Sequence, residues 1–182
     1  MEHIRCRWCN LKNPVYIRYH DEEWGIPLHD DRQLFELLIL ETFQAGLSWE
    51  TVLNKRDNFR RSFDEWDPKT ICRYSGEKIQ ALMSEPGIIR NRRKIEATIQ
   101  NARVFLEIQQ QYGSFDAYIW HFTNGATIVE TDRSCSELSD FISSDLKKLG
   151  MKFVGSTVIY SYLQAIGVIY SHGPECFLYR TT

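Results

Sequence analysis

The segment from Arg32 to Ala45 constrains the fold most, because it is apolar on nearly all sides of a helix. Its apolar side chains are Leu34, Phe35, Leu37, Leu38, Ile39 and Phe43. Asp30 or Asp31 stands before it and can cap a helix start. A helix that is apolar all round has to be enclosed by other elements. The sequence therefore predicts a buried central helix with further elements packed around it.

Most other segments also show helical rather than strand periodicity. Capping residues and apolar spacing predict further helices over residues 14–25, 48–63, 75–86, 91–112, 140–149 and 156–166, and one that begins at Asp67-Pro68. Only residues 126–130 have the character of a strand. We therefore expect an all-α fold.

Composition places the chain among ordinary globular proteins. It has 182 residues, of which 43% are hydrophobic and 25% charged, so we expect one globular unit, a monomer, with an adequate core. No apolar run is long enough for a bilayer and no apolar stretch follows the first basic residues, so we expect no membrane partner and a cytoplasmic location. A net charge of -2 gives no overall attraction to nucleic acid. In a reducing compartment the five cysteines are expected to be thiols or metal ligands.

The stretch from Leu146 to Thr157 has the form of two helices joined by a tight turn. Gly150 and Gly155 lie five residues apart in it. In a helix-hairpin-helix, Gly155 would let the backbone approach a DNA phosphate, and the amides of Ser156 and Thr157 would point at the anion. Three lysines would add positive charge without reading base identity: Lys147, Lys148 and Lys152. An ordinary corner between two helices, with solvated lysines, explains the spacing equally well.

A second hairpin-like stretch, residues 87–94, carries four basic residues in five positions. These could lie along a DNA backbone. A run of charge at the start of a helix is more often a solvated face, and that interpretation is favoured.

Possible metal ligands lie near both ends of the chain. They are Cys6, Cys9, His20, His172 and Cys176. Structural zinc takes four thiolate and imidazole ligands, and a His-x3-Cys spacing can direct two of them at one ion. Buried thiols and hydrogen-bonded histidines are the alternative. A redox dithiol at Cys6 and Cys9 fits poorly, since no βαβ pattern surrounds it.

Glu41 is the most unusual residue of the predicted central helix. A carboxylate in an apolar run is costly unless it is paired or functional. Tyr16 and Tyr19, three residues apart, and Trp49 could form aromatic walls around it, which would suit a flat cation with hydrogen-bond donors. A core glutamate bonded to a tyrosine is the alternative.

Four motifs, taken together, resemble the 3-methyladenine DNA glycosylase I family, a branch of the helix-hairpin-helix glycosylases. In chain order they are Asp21-Glu22-Glu23-Trp24-Gly25, Gln44-Ala45-Gly46-Leu47-Ser48-Trp49, Gly87-Ile88-Ile89-Arg90-Asn91 and Lys152-Phe153-Val154-Gly155. The resemblance runs from Cys6 to Cys176. It favours the functional interpretations of Glu41, the hairpin and the metal ligands.

The resemblance implies a specific assignment of roles. Glu41 would read the base and serve catalysis, with Trp49, Tyr16 and Tyr19 lining the pocket. Lys152, Gly155, Ser156 and Thr157 would hold the DNA backbone. One structural Zn²⁺ would be bound by Cys6, His20, His172 and Cys176. The whole chain, 1–182, would form one glycosylase unit with its hairpin at about 140–166 and zinc-binding ends at 1–25 and 167–182.

The implied activity is hydrolysis of the bond between 3-methyladenine and deoxyribose in double-stranded DNA, which releases the free base. Most helix-hairpin-helix glycosylases also carry a catalytic Asp after the hairpin, and the bifunctional ones add a Lys. Residues 156–182 contain neither, so we expect a monofunctional enzyme restricted to positively charged bases. Two other functions remain open: a non-catalytic DNA-binding protein with zinc, and a zinc-stabilised protein-interaction module.

Overall fold

A computed structural model describes residues 3–180, which are mostly helical. The predicted end segments also include residues 1, 2, 181 and 182, which lie outside this range. In chain order the helices are α1 (Pro14–Glu22), α2 (Asp31–Gln44), α3 (Trp49–Leu53), α4 (Arg56–Ser62), α5 (Pro68–Ile71), α6 (Gly76–Ser84), α7 (Arg92–Tyr112), α8 (Phe115–His121), α9 (Glu137–Lys148) and α10 (Ser156–Ala165). None of the helices in this range is long and apolar enough to cross a membrane.

The central helix is α2, as predicted. Every residue from Leu34 to Phe43 is buried. Four α-helices, α3, α7, α8 and α10, and the short 3₁₀ helix Asp64–Trp66 pack directly against it. Glu41 therefore lies inside the protein, where its carboxyl group has little access to water.

Several helices begin where side-chain caps predict. Asn13 accepts hydrogen bonds from the amides of Val15 and Tyr16 at the start of α1. Ser75 and Asn91 cap α6 and α7 in the same way. These polar side chains satisfy amides that have no partner within the helix, so they fix the starting points.

The prediction of one continuous helix over residues 48–63 is wrong. The segment forms two helices, α3 and α4. Lys55 has non-helical dihedral angles between them. The next residue, Arg56, is buried and donates to Glu36 at 2.9 Å. The break lets Arg56 reach this buried carboxylate, so a tertiary ion pair overrides the local helical pattern.

The described residues are mostly helical, as predicted, and they also form one small sheet. Its strands are β1 (Ile128–Val129) and β2 (Ile169–Tyr170), which pair in parallel with Ile128 opposite Ile169. β1 lies within the predicted strand, whereas β2 and α8 were not predicted. The sheet brings the segment after α10 back beside the loop after α8.

Candidate functional site

Aromatic side chains line a small cavity at the buried face of α2. Its volume is about 210 Å³. The lining residues are Trp8, Tyr16, Tyr19, Trp24, Glu41, Gln44, Trp49, Ser161 and Gln164. All four residues predicted to form a base pocket, Glu41, Trp49, Tyr16 and Tyr19, are thus brought together.

Glu41 is the polar centre of this cavity. It is 3% exposed, and its Oε2 has no hydrogen-bond partner among the described residues. Burial raises the pKa of Glu41 to about 8. The alternative of a core glutamate bonded to a tyrosine does not hold for Oε2. An acceptor oxygen without a partner can bind a donor that enters the cavity.

Two helices, α1 and α3, position the aromatic side chains of the cavity. Tyr16 and Tyr19 share the buried face of α1. Ser48 caps α3 by accepting from the amide of Thr51, which places Trp49 in its first turn. The ring centroids of Tyr19 and Trp49 are 5.3 Å apart. The indole N–H of Trp49 is buried without an acceptor among the described residues.

Five lining residues were missed by the sequence prediction. Trp8 lies between Cys6 and Cys9, and Trp24 and Gln44 belong to two of the quoted motifs, so the sequence could have indicated all three. Ser161 and Gln164 lie three residues apart on one face of α10. Nothing in the local sequence indicates that this face would meet α2.

Lys94 corrects the interpretation of residues 87–94 as a solvated face. Arg90, Arg92 and Arg93 are exposed, but Lys94 is only 6% exposed. Its ammonium group donates to the carbonyl oxygens of Phe43 at 2.8 Å and Ala45 at 2.7 Å. Lys94 therefore satisfies the last carbonyls of α2 and fixes the end of the helix that carries Glu41.

Four possible metal ligands converge where the two ends of the chain meet. Ligand atoms of Cys6, His20, His172 and Cys176 all lie within 4.8 Å of one another. The Sγ atom of Cys176 lies 3.5 Å from Nε2 of His20 and 3.4 Å from Nδ1 of His172. Tetrahedral zinc with these ligands has sulfur–nitrogen separations of about 3.5 Å. The donor set therefore fits a zinc ion.

The surroundings of this cluster also suit a metal. The second nitrogen of His20 lies 2.7 Å from Asp21, which Arg5 holds at 2.7 Å. The second nitrogen of His172 faces the carbonyl of Trp24 at 3.3 Å. Such outer contacts orient histidine ligands. Cys9 is absent from the cluster, and its thiol points to the carbonyl of Tyr16.

Burial disfavours charge on the ligand side chains. It raises the pKa of the Cys6 thiol to about 12 and lowers the pKa of His172 to about 4. A thiolate at Cys6 therefore requires a compensating cation. A divalent ion among the four ligands would supply one.

The turn between α9 and α10 presents backbone amides to the outside. Gly155 precedes α10, and no side chain caps that helix. A Cβ on Gly155 would meet open space, so an external group can approach the backbone there. Lys152 and Thr157 are exposed, whereas the Ser156 hydroxyl bonds to Ser139 at 2.8 Å. The four predicted backbone-contact residues thus lie on one connected stretch.

Together, the fold and cavity define a mostly helical protein able to hold a flat, polar ring among aromatic side chains. A family model described as methyladenine glycosylase matches residues 8–179. The chain belongs to the methyladenine glycosylase family.

Individual relatives agree with this membership. The chain is 43% identical to DNA-3-methyladenine glycosylase 1 of Escherichia coli (strain K12), over 96% of each chain. A crystal structure of 3-methyladenine DNA glycosylase I matches with a TM-score of 0.93 and 42% identity, covering 97% of this chain and 100% of the other. A variant of such an enzyme, solved in complex with 3-methyladenine, matches at a TM-score of 0.90 and 34% identity, covering 94% and 97%.

Proposed function

We propose that this protein removes 3-methyladenine from alkylated DNA by hydrolysing the bond between the base and deoxyribose. Glu41, a carboxyl group with an unpartnered oxygen inside an aromatic cavity, is the observation that carries the proposal. Family membership supplies the chemical class of the substrate.

The base has to leave the DNA stack to reach Glu41. An alkylated base costs less to extrude because its pairing is already weakened. In the cavity, Glu41 would accept hydrogen bonds from the base while Trp49 stacks on its face. Normal adenine lacks the positive charge of the methylated base and would bind less well. Each such group contributes about 1–3 kcal/mol of discrimination, so several act together.

The positive charge of the base suits the protonation behaviour of Glu41. Because the pKa of Glu41 is about 8, its carboxyl group is mostly neutral at pH 7 before a base binds. A bound cation favours the ionised form and lowers this pKa. The ionised carboxylate and the cationic ring then stabilise each other where water is excluded.

The edge formed by α9 and α10 would anchor the DNA as a helix-hairpin-helix. Phosphate oxygens would accept hydrogen bonds from the amides that follow Gly155, and Lys152 would add charge. These groups contact no base edge, so this binding has no sequence preference.

Zinc would be structural in this enzyme. Four protein ligands, Cys6, His20, His172 and Cys176, leave no position for water. The ion would tie the N-terminal segment with Trp8 to the segment after β2.

The cavity lining supports a monofunctional enzyme. Among residues 3–180 no lysine lines the cavity, so none of them places an amine to form a Schiff base. Buried Lys94 is engaged with two carbonyl oxygens. The described part of the chain also places no aspartate in this lining to stabilise the sugar cation. The reaction would therefore depend on a base whose charge already weakens the bond.

A base-release assay tests the proposal. The protein is incubated with methylated duplex DNA and, separately, with duplex DNA containing hypoxanthine, a neutral lesion. Free 3-methyladenine should appear, the strand should stay uncut and hypoxanthine should remain. Binding of methylated DNA without base release would indicate the non-catalytic DNA-binding function instead. An enzyme–DNA adduct trapped by borohydride would contradict monofunctional hydrolysis.

A further inference from the structure

An open groove separate from the base pocket lies beside the turn between α9 and α10. Its volume is about 560 Å³. Its lining comes from α7 and from the turn: Arg93, Glu96, Ala97, Gln100, Lys152 and Phe153. None of these residues lines the base pocket, so the groove is a distinct surface.

The groove carries an excess of positive charge. Arg93 and Lys152 are exposed on its two sides, and the side chain of neither has a hydrogen bond or ion pair among residues 3–180. The one carboxylate of the lining, Glu96, pairs with Arg92 at 3.3 Å. Two cations therefore remain available to an anion.

The main chain on both sides of the groove is held by buried side chains. Asn101 on α7 donates to the carbonyl of Lys152 at 3.0 Å and accepts from its amide at 2.7 Å. This fixes the turn where Phe153 adopts a left-handed conformation, with φ of 57°. Lys94, the residue after Arg93, is tied to the end of α2. The main chain that carries Arg93 and Lys152 is therefore held in place on both sides of the groove.

The groove is also continuous with the proposed DNA-binding edge, because Lys152 lies three residues before Gly155. We propose that Arg93, across the groove from Lys152, binds a phosphate of the DNA backbone next to the one held by Lys152 and the α10 amides. This second contact rests on the proposed function. Within residues 87–94, Lys94 supports the base pocket by holding the end of α2. The second contact gives a function to Arg93 as well.

Salt-dependent DNA binding tests the second contact through Arg93→Gln. Each phosphate neutralised steepens the dependence of log K on log[salt] by about 0.9, equivalent to about eightfold in affinity at 0.1 M salt. Arg93→Gln should lower the slope by that amount and weaken binding about eightfold. The loss should be equal for undamaged and methylated duplexes. Arg93→Lys should retain most of the slope.

Arg103→Gln is the matched control, since Arg103 is also on α7 but donates to the carbonyl of Cys72. It should leave the slope unchanged. The affinity for free 3-methyladenine should be unchanged in both glutamine variants, and the urea midpoint should be unchanged in Arg93→Gln. An unchanged slope in Arg93→Gln, or a loss confined to methylated DNA, overturns the second contact. Should the unmodified protein bind DNA but release no base, the proposed catalysis fails while the contact can still be measured. Failure to bind any duplex would overturn both.

Discussion

At the scale of the residue, the position of Glu41 sets two opposing requirements. Recognition needs an acceptor where no protein group or water competes, which means a buried oxygen without a partner. Stability is reduced by the same burial, because an ionised carboxylate in an apolar cavity is poorly solvated. The raised pKa of Glu41 results from this burial. Its effects can be measured both as base affinity and as the pH dependence of stability.

The first prediction concerns recognition. Glu41→Ala removes a hydrogen bond to a charged group, worth about 1.5–3 kcal/mol. The affinity for free 3-methyladenine, measured by calorimetry, should fall roughly tenfold or more. Tyr74→Phe is a suitable control, since it also removes a hydrogen bond to a carboxylate, that of Asp64, outside the cavity. Equal affinity in a folded Glu41→Ala protein would make Glu41 a structural residue.

The second prediction concerns stability. The folded pKa of Glu41 is about 8, above its ordinary value of 4.5. Between these values the folded state binds a proton that the unfolded state lacks, so the free energy of unfolding falls as pH rises. The slope is about 1.4 kcal/mol per pH unit. Glu41→Gln should therefore stabilise the protein more at pH 8 than at pH 5, as urea unfolding can measure. A stabilisation independent of pH would show that Glu41 has no raised pKa.

At the scale of the element, the sequence predicted the helix starts that depend on neighbouring residues. It missed the features that depend on contacts between distant parts of the chain. The starts of α1, α6 and α7 follow from Asn13, Ser75 and Asn91, because a cap acts within its own turn. The break before Arg56 depends on Glu36, twenty residues away in sequence. The same distinction applies to the site. Glu41 is unusual within its own helix, whereas Gln164 belongs to the cavity only because α10 packs against α2.

The turn before α10 carries the third prediction. A Cβ at Gly155 would meet no atom of residues 3–180 within 4 Å, so Gly155→Val should fold normally and obstruct only an external approach. DNA affinity should fall several-fold for every sequence and for damaged and undamaged duplexes alike. Gly76→Val, at the exposed start of α6, is the matched control because its Cβ also meets open space. A loss limited to methylated DNA would place the turn in the base pocket.

At the scale of the whole molecule, the two ends of the chain support one site. Cys6 and Cys176 belong to the same cluster of possible metal ligands, and Trp8, two residues after Cys6, lines the aromatic cavity. A change at the cluster should therefore be transmitted to base binding. This link is the basis of the fourth prediction.

Metal analysis should give one zinc per chain, retained in Cys9→Ser and lost in Cys176→Ser. Removing zinc from the unmodified protein should weaken binding of free 3-methyladenine, because Trp8 loses its anchor. Readdition of zinc should restore it. The assignment fails if Cys9→Ser alone loses the metal, or if the metal-free protein binds the base equally well.

The meeting of the two ends also matters for how the protein can be engineered. Phe177 donates to the carbonyl of Ile4 at 2.8 Å, and its ring stacks on His3 at 4.3 Å. A fusion partner at either end would therefore be attached within a few residues of this contact, which lies next to Cys6 and Cys176 in sequence. The exposed turn at Asn124 and Gly125 is a better position at which to cut the chain and create new termini. A circular permutant opened there, with its former ends joined by a short flexible linker, should retain zinc and base release while freeing both new termini for attachment.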